Sequence, residues 1–143
     1  DDFDDNQLRE AFQIDVGRGD AIPGISPHVG RVGLGYNITE NWVLHGDIEA
    51  NSSQFFRGDE NNSAGQKVAG YFLLNFRTEY SLEGKNKNDS SFLFFLEARN
   101  LLDENYETGG IYAENEVSGT GGSGTFVTPG QPLSIFGGVN IFW

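Results

Sequence analysis

The sequence predicts an all-β fold, specifically an antiparallel transmembrane β-barrel segment, and three observations lead to that prediction. Apolar and polar side chains alternate with a period of two, which is the side-chain period of a strand. Long and short connections between the alternating runs follow one another strictly. Charged side chains in the middle of several runs fall on the less apolar face, away from where lipid would lie.

The last run, residues 133–143, shows the alternation most clearly. Counting back in twos from Trp143 through Ile141 and Val139 to Leu133 gives a nearly continuous apolar face, whereas Asn140 lies on the other face. A soluble domain seldom stops in mid-strand on an aromatic residue, because chain termini fray in water. We expect this strand to close a barrel with its apolar face toward lipid.

Five earlier runs meet the same criterion, so the sequence predicts about six strands and no helix. The five runs are residues 11–16, 28–38, 42–54, 70–82 and 92–101. Their apolar faces carry, in order, Phe12, Ile14 and Val16; Val32, Leu34, Tyr36 and Ile38; Trp42, Leu44, Ile48 and Ala50; Phe72, Leu74, Phe76, Tyr80 and Leu82; and Phe92, Phe94, Leu96 and Ala98. The opposite faces carry charged groups, among them Asp47, Glu49, Arg77, Glu79 and Glu97.

The connections differ in length in a regular way. Residues 17–27, 56–69 and 103–131 form long connections, whereas residues 39–41 and 83–89 form short ones. Outer-membrane barrels have long extracellular loops and tight periplasmic turns, and a soluble antiparallel sandwich predicts no such asymmetry.

Composition excludes several classes of function. A net charge of −12 with nine Lys and Arg residues argues against a nucleic-acid partner. The absence of cysteine removes disulfides and thiolate metal sites, and His28 and His45 have no partner at ligand spacing, so no metal and no cofactor is expected. The sequence contains no nucleophile elbow, phosphate loop or paired catalytic groups, so we do not expect an enzyme.

Five motifs occur in a fixed order along the chain. They are residues 19–28 (Gly-Asp-Ala-Ile-Pro-Gly-Ile-Ser-Pro-His), 53–61 (Ser-Gln-Phe-Phe-Arg-Gly-Asp-Glu-Asn), Gly70-Tyr71 with Asn75, 100–106 (Asn-Leu-Leu-Asp-Glu-Asn-Tyr), and 126–130 (Phe-Val-Thr-Pro-Gly). Together with the closing strand they resemble the C-terminal barrel region of TonB-dependent outer-membrane receptors. The resemblance extends from about residue 11 to residue 143.

The resemblance implies a barrel of about twenty-two strands filled by a plug domain, with residues 1–143 as roughly its last six strands and the plug outside them. It implies uptake of a scarce solute, most often an iron-siderophore complex, across the bacterial outer membrane. The implied partners are outer-membrane lipid, the rest of the barrel and the plug domain, the TonB complex through an N-terminal part, and the barrel-assembly machinery.

In such receptors the ligand is contacted by extracellular loops, so the resemblance points to loop residues as ligand contacts. The candidates are Arg57, Asp59, Tyr106, Tyr112 and Phe126. In the closing strand Val139, Ile141 and Trp143 are expected to form the barrel-assembly signal. Asp59, Glu60 and Asn61 lack the spaced carboxylates of a Ca²⁺ loop and are predicted to form a solvated acidic loop.

Two alternative functions fit parts of the sequence. One is a porin-like barrel without a plug. The other is a soluble carbohydrate-binding β-sandwich, in which aromatic loop residues would serve as stacking platforms for sugars.

Overall fold

The fold is all-β, as the sequence predicts. The computed structural model describes residues 16–84, 90–115 and 122–143, and these contain strands and no helix. The strands are β1 (Val29–Thr39), β2 (Trp42–Asn51), β3 (Gln54–Phe55), β4 (Lys67–Val68), β5 (Tyr71–Leu82), β6 (Ser91–Arg99), β7 (Glu107–Asn115), β8 (Gly122–Pro129) and β9 (Ser134–Phe142).

The long strands form one antiparallel sheet in the order β1-β2-β5-β6-β9. Two small antiparallel sheets, β3-β4 and β7-β8, lie within the long connections. In the described part of the chain the large sheet is open, with β1 and β9 as its edge strands.

Five of the predicted strands are confirmed with small shifts at their ends, and they are the strands of the large sheet. The strand predicted at residues 11–16 lies outside the described residues, except for Val16, which is not in a strand. The sequence pattern missed β3, β4, β7 and β8. The first two contain two residues each, and glycines at positions 109, 110, 122 and 124 interrupt the alternation of the others.

The register places the apolar side chains of all five long strands on one face. Trp42 lies opposite Tyr80, Tyr80 opposite Phe94, and Phe94 opposite Val139, so one row of large side chains crosses four strands. Because a slip of one residue would turn a whole strand over, this agreement across the sheet fixes the register strongly.

The apolar face of the sheet is exposed and the polar face is the more buried one. Leu34 is 80% exposed and Ile135 is 67% exposed, whereas the side chain of Glu97 on the polar face is 18% exposed. Among the described residues the buried hydrophobic side chains are Phe56, Val68 and Leu73. A water-soluble sandwich has the opposite arrangement, with its apolar faces packed together.

The long connections meet at one end of the sheet and fold against one another. We call residues 17–28, 52–70 and the described part of 100–133 the loop cap. Its segments are joined by backbone hydrogen bonds, from Gly24 N to Phe55 O (2.8 Å) and from Arg57 N to Gly110 O (3.1 Å). The strand ends that the two short connections join, Thr39 with Trp42 and Leu82 with Ser91, lie at the opposite end of the sheet, as the predicted asymmetry requires.

Asn100 ties the loop cap to the sheet. It is 2% exposed, and its backbone has a positive φ of 51°, which Asn tolerates better than most residues. Its Nδ2 donates to Glu104 O (2.8 Å) and Gln131 O (3.0 Å), and its Oδ1 accepts from Glu104 N (2.9 Å). Its backbone N donates to Asn75 Oδ1 at 3.0 Å. One side chain therefore links the end of β6 to the segment that precedes β9.

We predict that Asn100→Ala lowers the free energy of unfolding by about 2 kcal/mol, because it removes three hydrogen bonds and leaves backbone groups without partners. Asn105→Ala is the matched control, since Asn105 is exposed and makes no side-chain hydrogen bond among the described residues. Denaturant titration measures both changes. Equal effects of the two substitutions would contradict the assigned role.

Candidate functional site

Charged and aromatic side chains that could act as a site collect in two places, the polar face of the large sheet and the loop cap. The polar face carries a ladder of charged groups that runs across neighbouring strands. The ladder consists of Arg31 on β1, Asp47 and Glu49 on β2, Arg77 and Glu79 on β5, and Glu97 and Arg99 on β6.

Arg77 is the centre of the ladder. Its Nε lies 2.6 Å from Glu79 Oε1, and its Nη1 lies 2.8 Å from Glu97 Oε2. Arg99 Nε reaches the other oxygen of Glu97 at 2.5 Å, so one carboxylate joins two guanidinium groups. The guanidinium of Arg77 also lies over the ring of Phe95, 4.5 Å from its centre. These charges satisfy one another on a partly buried face, where an unpaired charge would be costly.

Arg31 forms the weaker end of the ladder. Its Nε is 3.4 Å from Asp47 Oδ2, and its Nη2 is 3.5 Å from Glu49 Oε2, with the arginine side chain 64% exposed. Asn75 Nδ2 donates to the same Asp47 oxygen at 3.0 Å, and Asn75 Oδ1 accepts from Asn100. The ladder is thus connected to the loop cap through one amide side chain.

A cleft of about 420 Å³ opens where the polar face meets the loop cap. Its walls include Arg31, Glu49, Tyr71, Arg99 and Tyr106. The rings of Tyr71 and Tyr106 pack with their centres 4.4 Å apart. Each cation in this cleft already has a carboxylate partner. Tyr71 is not among the predicted contacts, because the candidates are loop residues and the Gly70-Tyr71 motif lies at the start of a predicted strand.

A second cleft, of about 330 Å³, lies within the loop cap and brings together two of the predicted ligand contacts. Arg57 and Phe126 both line it, with Gln54, Ile111 and Val127. Phe126 is 69% exposed. The β7-β8 hairpin places the phenylalanine beside the 52–64 segment, since Arg57 forms a parallel bridge with Ile111.

The two predicted tyrosines lie elsewhere in the cap. Tyr106 packs on Tyr71, and its hydroxyl accepts a hydrogen bond from Gln131 N at 3.3 Å. Tyr112 is half-buried in β7, and its backbone N donates to Arg57 O at 2.7 Å. Neither tyrosine lines the cleft that contains Arg57 and Phe126.

Asp59 is buried, which corrects the prediction of a solvated acidic loop. It is 3% exposed, and its Oδ1 accepts from Ala64 N at 3.0 Å. Its Oδ2 is buried and has no hydrogen-bond partner among the described residues. The turn at residues 56–62 folds this side chain inward, held by Asn62, whose amide bonds to Ala21 and to Asp59 O. That fold depends on contacts with a distant segment and leaves no local signal in the sequence.

The three residues predicted as an assembly signal lie on or beside an edge strand. Val139 and Ile141 pair with Phe94 and Phe92 of β6, and Trp143 follows β9 and is 99% exposed. Among the described residues no strand pairs with the other edge of β9.

Within the described ranges, no group of three His, Cys, Asp or Glu side chains could hold a metal ion. The described residues include no helix that is long and apolar enough to cross a membrane.

The described residues thus define an all-β protein with an antiparallel sheet, one exposed apolar face and one charged face. Comparison with protein-family models and with curated proteins finds no match to this chain.

We predict that Arg77→Gln lowers the free energy of unfolding by about 1–2 kcal/mol, because Glu79 and Glu97 lose a partner on a partly buried face. Arg31→Gln is the control and should cost less than about 0.5 kcal/mol, since its ion pairs are longer and more exposed. Denaturant titration compares the two variants. A larger cost at Arg31 would show that the ladder is not centred on Arg77.

Proposed function

We propose that this chain forms part of the β-barrel of a TonB-dependent outer-membrane transporter, which takes up a scarce solute such as an iron-siderophore complex. The observation that carries the proposal is the polarity of the large sheet, whose apolar face is exposed while its charged face is the more buried one. A barrel wall in a bilayer needs this arrangement, with apolar residues toward lipid and polar residues toward the lumen.

The height of the apolar face fits a bilayer. At about 3.3 Å per residue, the apolar positions of β5 from Phe72 to Leu82 cover about 33 Å along the strand. With a strand tilt of about 40°, this length gives a band of about 25 Å, the height typical of outer-membrane barrels. Trp42, Tyr80 and Phe94 lie near the short-turn end of that band, where an aromatic girdle is expected.

The free edges of the sheet support a larger barrel. In the described residues β1 and β9 each have one edge without a strand partner, and both strands belong to the sheet with the apolar face. Unpaired backbone groups in hydrocarbon cost several kcal/mol each, so only a closed barrel is stable there. We infer that the remaining strands and a plug domain complete the wall and fill the lumen.

The loop cap corresponds to the extracellular side in this proposal, since long loops face outward in such barrels. The cap presents the clefts that contain Arg57, Phe126 and Tyr106 to the cell exterior. The resemblance of the five sequence motifs to the receptor family supports the same proposal. The ladder of Arg77 would then face the plug domain.

The functional test uses the complete protein that carries this chain, in cells and in detergent extract. We expect an intact mass several times 15.7 kDa, a requirement for detergent during extraction, and uptake of a radioactive iron-siderophore complex that stops when TonB is deleted. Uptake that continues without TonB would favour a porin-like channel. A monodisperse protein obtained without detergent would favour the soluble sandwich.

A pair of neighbouring substitutions tests which face meets lipid. We predict that Leu34→Arg lowers the free energy of unfolding in detergent or lipid by about 2–4 kcal/mol, the cost of arginine at mid-bilayer depth. Gly33→Arg is the control at the same depth on the opposite face, beside Asp47, where a Cβ would make ordinary contacts at 3.6 Å. The fraction of heat-resistant barrel on a semi-native gel measures both. If Leu34→Arg and Gly33→Arg gave the same fraction of folded barrel, Leu34 could not be assigned to the lipid-facing side.

We also propose that Val139, Ile141 and Trp143 are recognised by the barrel-assembly machinery before β9 pairs with the first strand. Trp143→Ser in the complete protein should lower the amount of folded barrel in the outer membrane. Asn140→Ser, on the opposite face of the same strand, should leave that amount unchanged. An unaltered heat-resistant band for Trp143→Ser would speak against this role.

A further inference from the structure

The cleft between Arg57 and Phe126 has the chemistry of a binding subsite. Arg57 is the charged residue among the described residues that line it, and the other walls are glycines, Thr108, Thr128, Gln54 and the apolar groups of Ile111, Phe126 and Val127. A cleft of about 330 Å³ accommodates one ring-sized group. One cation therefore faces a mixed surface, in which backbone and hydroxyl groups stand beside the apolar side chains of Ile111, Phe126 and Val127.

Arg57 differs from most of the described cations because its guanidinium has no ion-pair partner among the described residues. Arg31, Arg77 and Arg99 pair with carboxylates, and Lys67 lies over the ring of Phe55 at 4.2 Å. No carboxylate pairs with Arg57 within the described ranges. An arginine without a carboxylate partner is available to bind an anion from solution.

The backbone of Arg57 is held in place by two hydrogen bonds. Its backbone N donates to Gly110 O at 3.1 Å, and its backbone O accepts from Tyr112 N at 2.7 Å. Its side chain lies over Gly24, where a Cβ would come within 2.8 Å of Nε and 2.9 Å of Cγ. The absence of a side chain at position 24 thus leaves room for the arginine. Because the backbone is already held, only the exposed side chain has to be ordered when a ligand binds, which lowers the entropic cost.

We propose that this cleft binds a carboxylate carried on a flat apolar group. The planar guanidinium matches a carboxylate through two parallel hydrogen bonds, and the ring of Phe126 with Ile111 covers the apolar part of the ligand. Exposed carboxylates elsewhere in the cap, such as Glu60 and Asp103, repel an anion, so they favour the orientation that places its charge at Arg57. As a statement about the transported solute, the inference rests on the function proposed above.

The test uses two fragments of the same shape and different charge, 4-fluorobenzoate and 4-fluorobenzamide, observed by fluorine NMR. The complete protein is used in a neutral detergent, with empty micelles as the blank. We expect the benzoate to bind with a dissociation constant in the millimolar range and the benzamide at least about fivefold more weakly, since a charge-assisted bidentate pair is stronger than a neutral hydrogen bond.

Substitutions then locate the site. Arg57→Gln should weaken benzoate binding about tenfold and leave benzamide binding unchanged. Arg57→Lys should retain part of the affinity for benzoate, because lysine keeps the positive charge but lacks the planar guanidinium that forms two parallel hydrogen bonds. Phe126→Ala should weaken both fragments, because it removes the apolar wall, and its exposure makes a folding defect unexpected. Arg18→Gln is the control, since Arg18 is also exposed and has no ion pair among the described residues but does not line the cleft.

Equal binding of the two fragments, or unchanged benzoate binding in Arg57→Gln, would overturn the subsite. So would a loss of the same size in Arg18→Gln, because it would indicate attraction to any surface cation. These outcomes are separate from the transporter proposal. If uptake depends on TonB but the two fragments bind equally, only the proposed subsite is wrong. If uptake continues without TonB but benzoate binding depends on Arg57, only the transporter proposal is wrong.

Discussion

The common register of the five long strands is the constraint on which the rest of the molecule depends. Apolar and polar side chains alternate along each strand independently of the others. Yet Trp42, Tyr80, Phe94 and Val139 fall in one row, so these neighbouring strands place their apolar side chains on the same face of the sheet. A slip of one residue in β5 would place Arg77 on the apolar face and bring Phe76 among the carboxylates. The separation of the faces, the ion-pair ladder and the position of the loops all follow from this register.

The ladder and the register support each other. Arg77 pairs with Glu97 because the two residues are direct cross-strand neighbours, and Arg99 reaches the same carboxylate along its own strand. Opposite charges on facing positions stabilise one register and penalise others. Because the described chain has no second layer over either face, these polar contacts, rather than a large apolar core, distinguish the two sides of the sheet.

The loop cap contains most of the small buried core and also the chemistry. Phe56 and Val68 are buried there, and Asn100 and Asn62 hold segments that are far apart in the sequence. This packing brings Arg57 and Phe126 to one cleft and turns the side chain of Asp59 inward. Of the five predicted ligand contacts, two therefore share a cleft, Tyr106 belongs to another, Tyr112 is half-buried in β7 and Asp59 is buried.

The sequence by itself determined the all-β class, the long strands and their two faces, because the period of two is a local property that each strand carries alone. It also determined which connections are long, and hence at which end of the sheet the cap lies. The tertiary structure decided the β7-β8 hairpin, the burial of Asp59 and the meeting of Arg57 with Phe126. These depend on hydrogen bonds such as Arg57 N to Gly110 O, which join distant segments whose local sequence carries no periodic pattern.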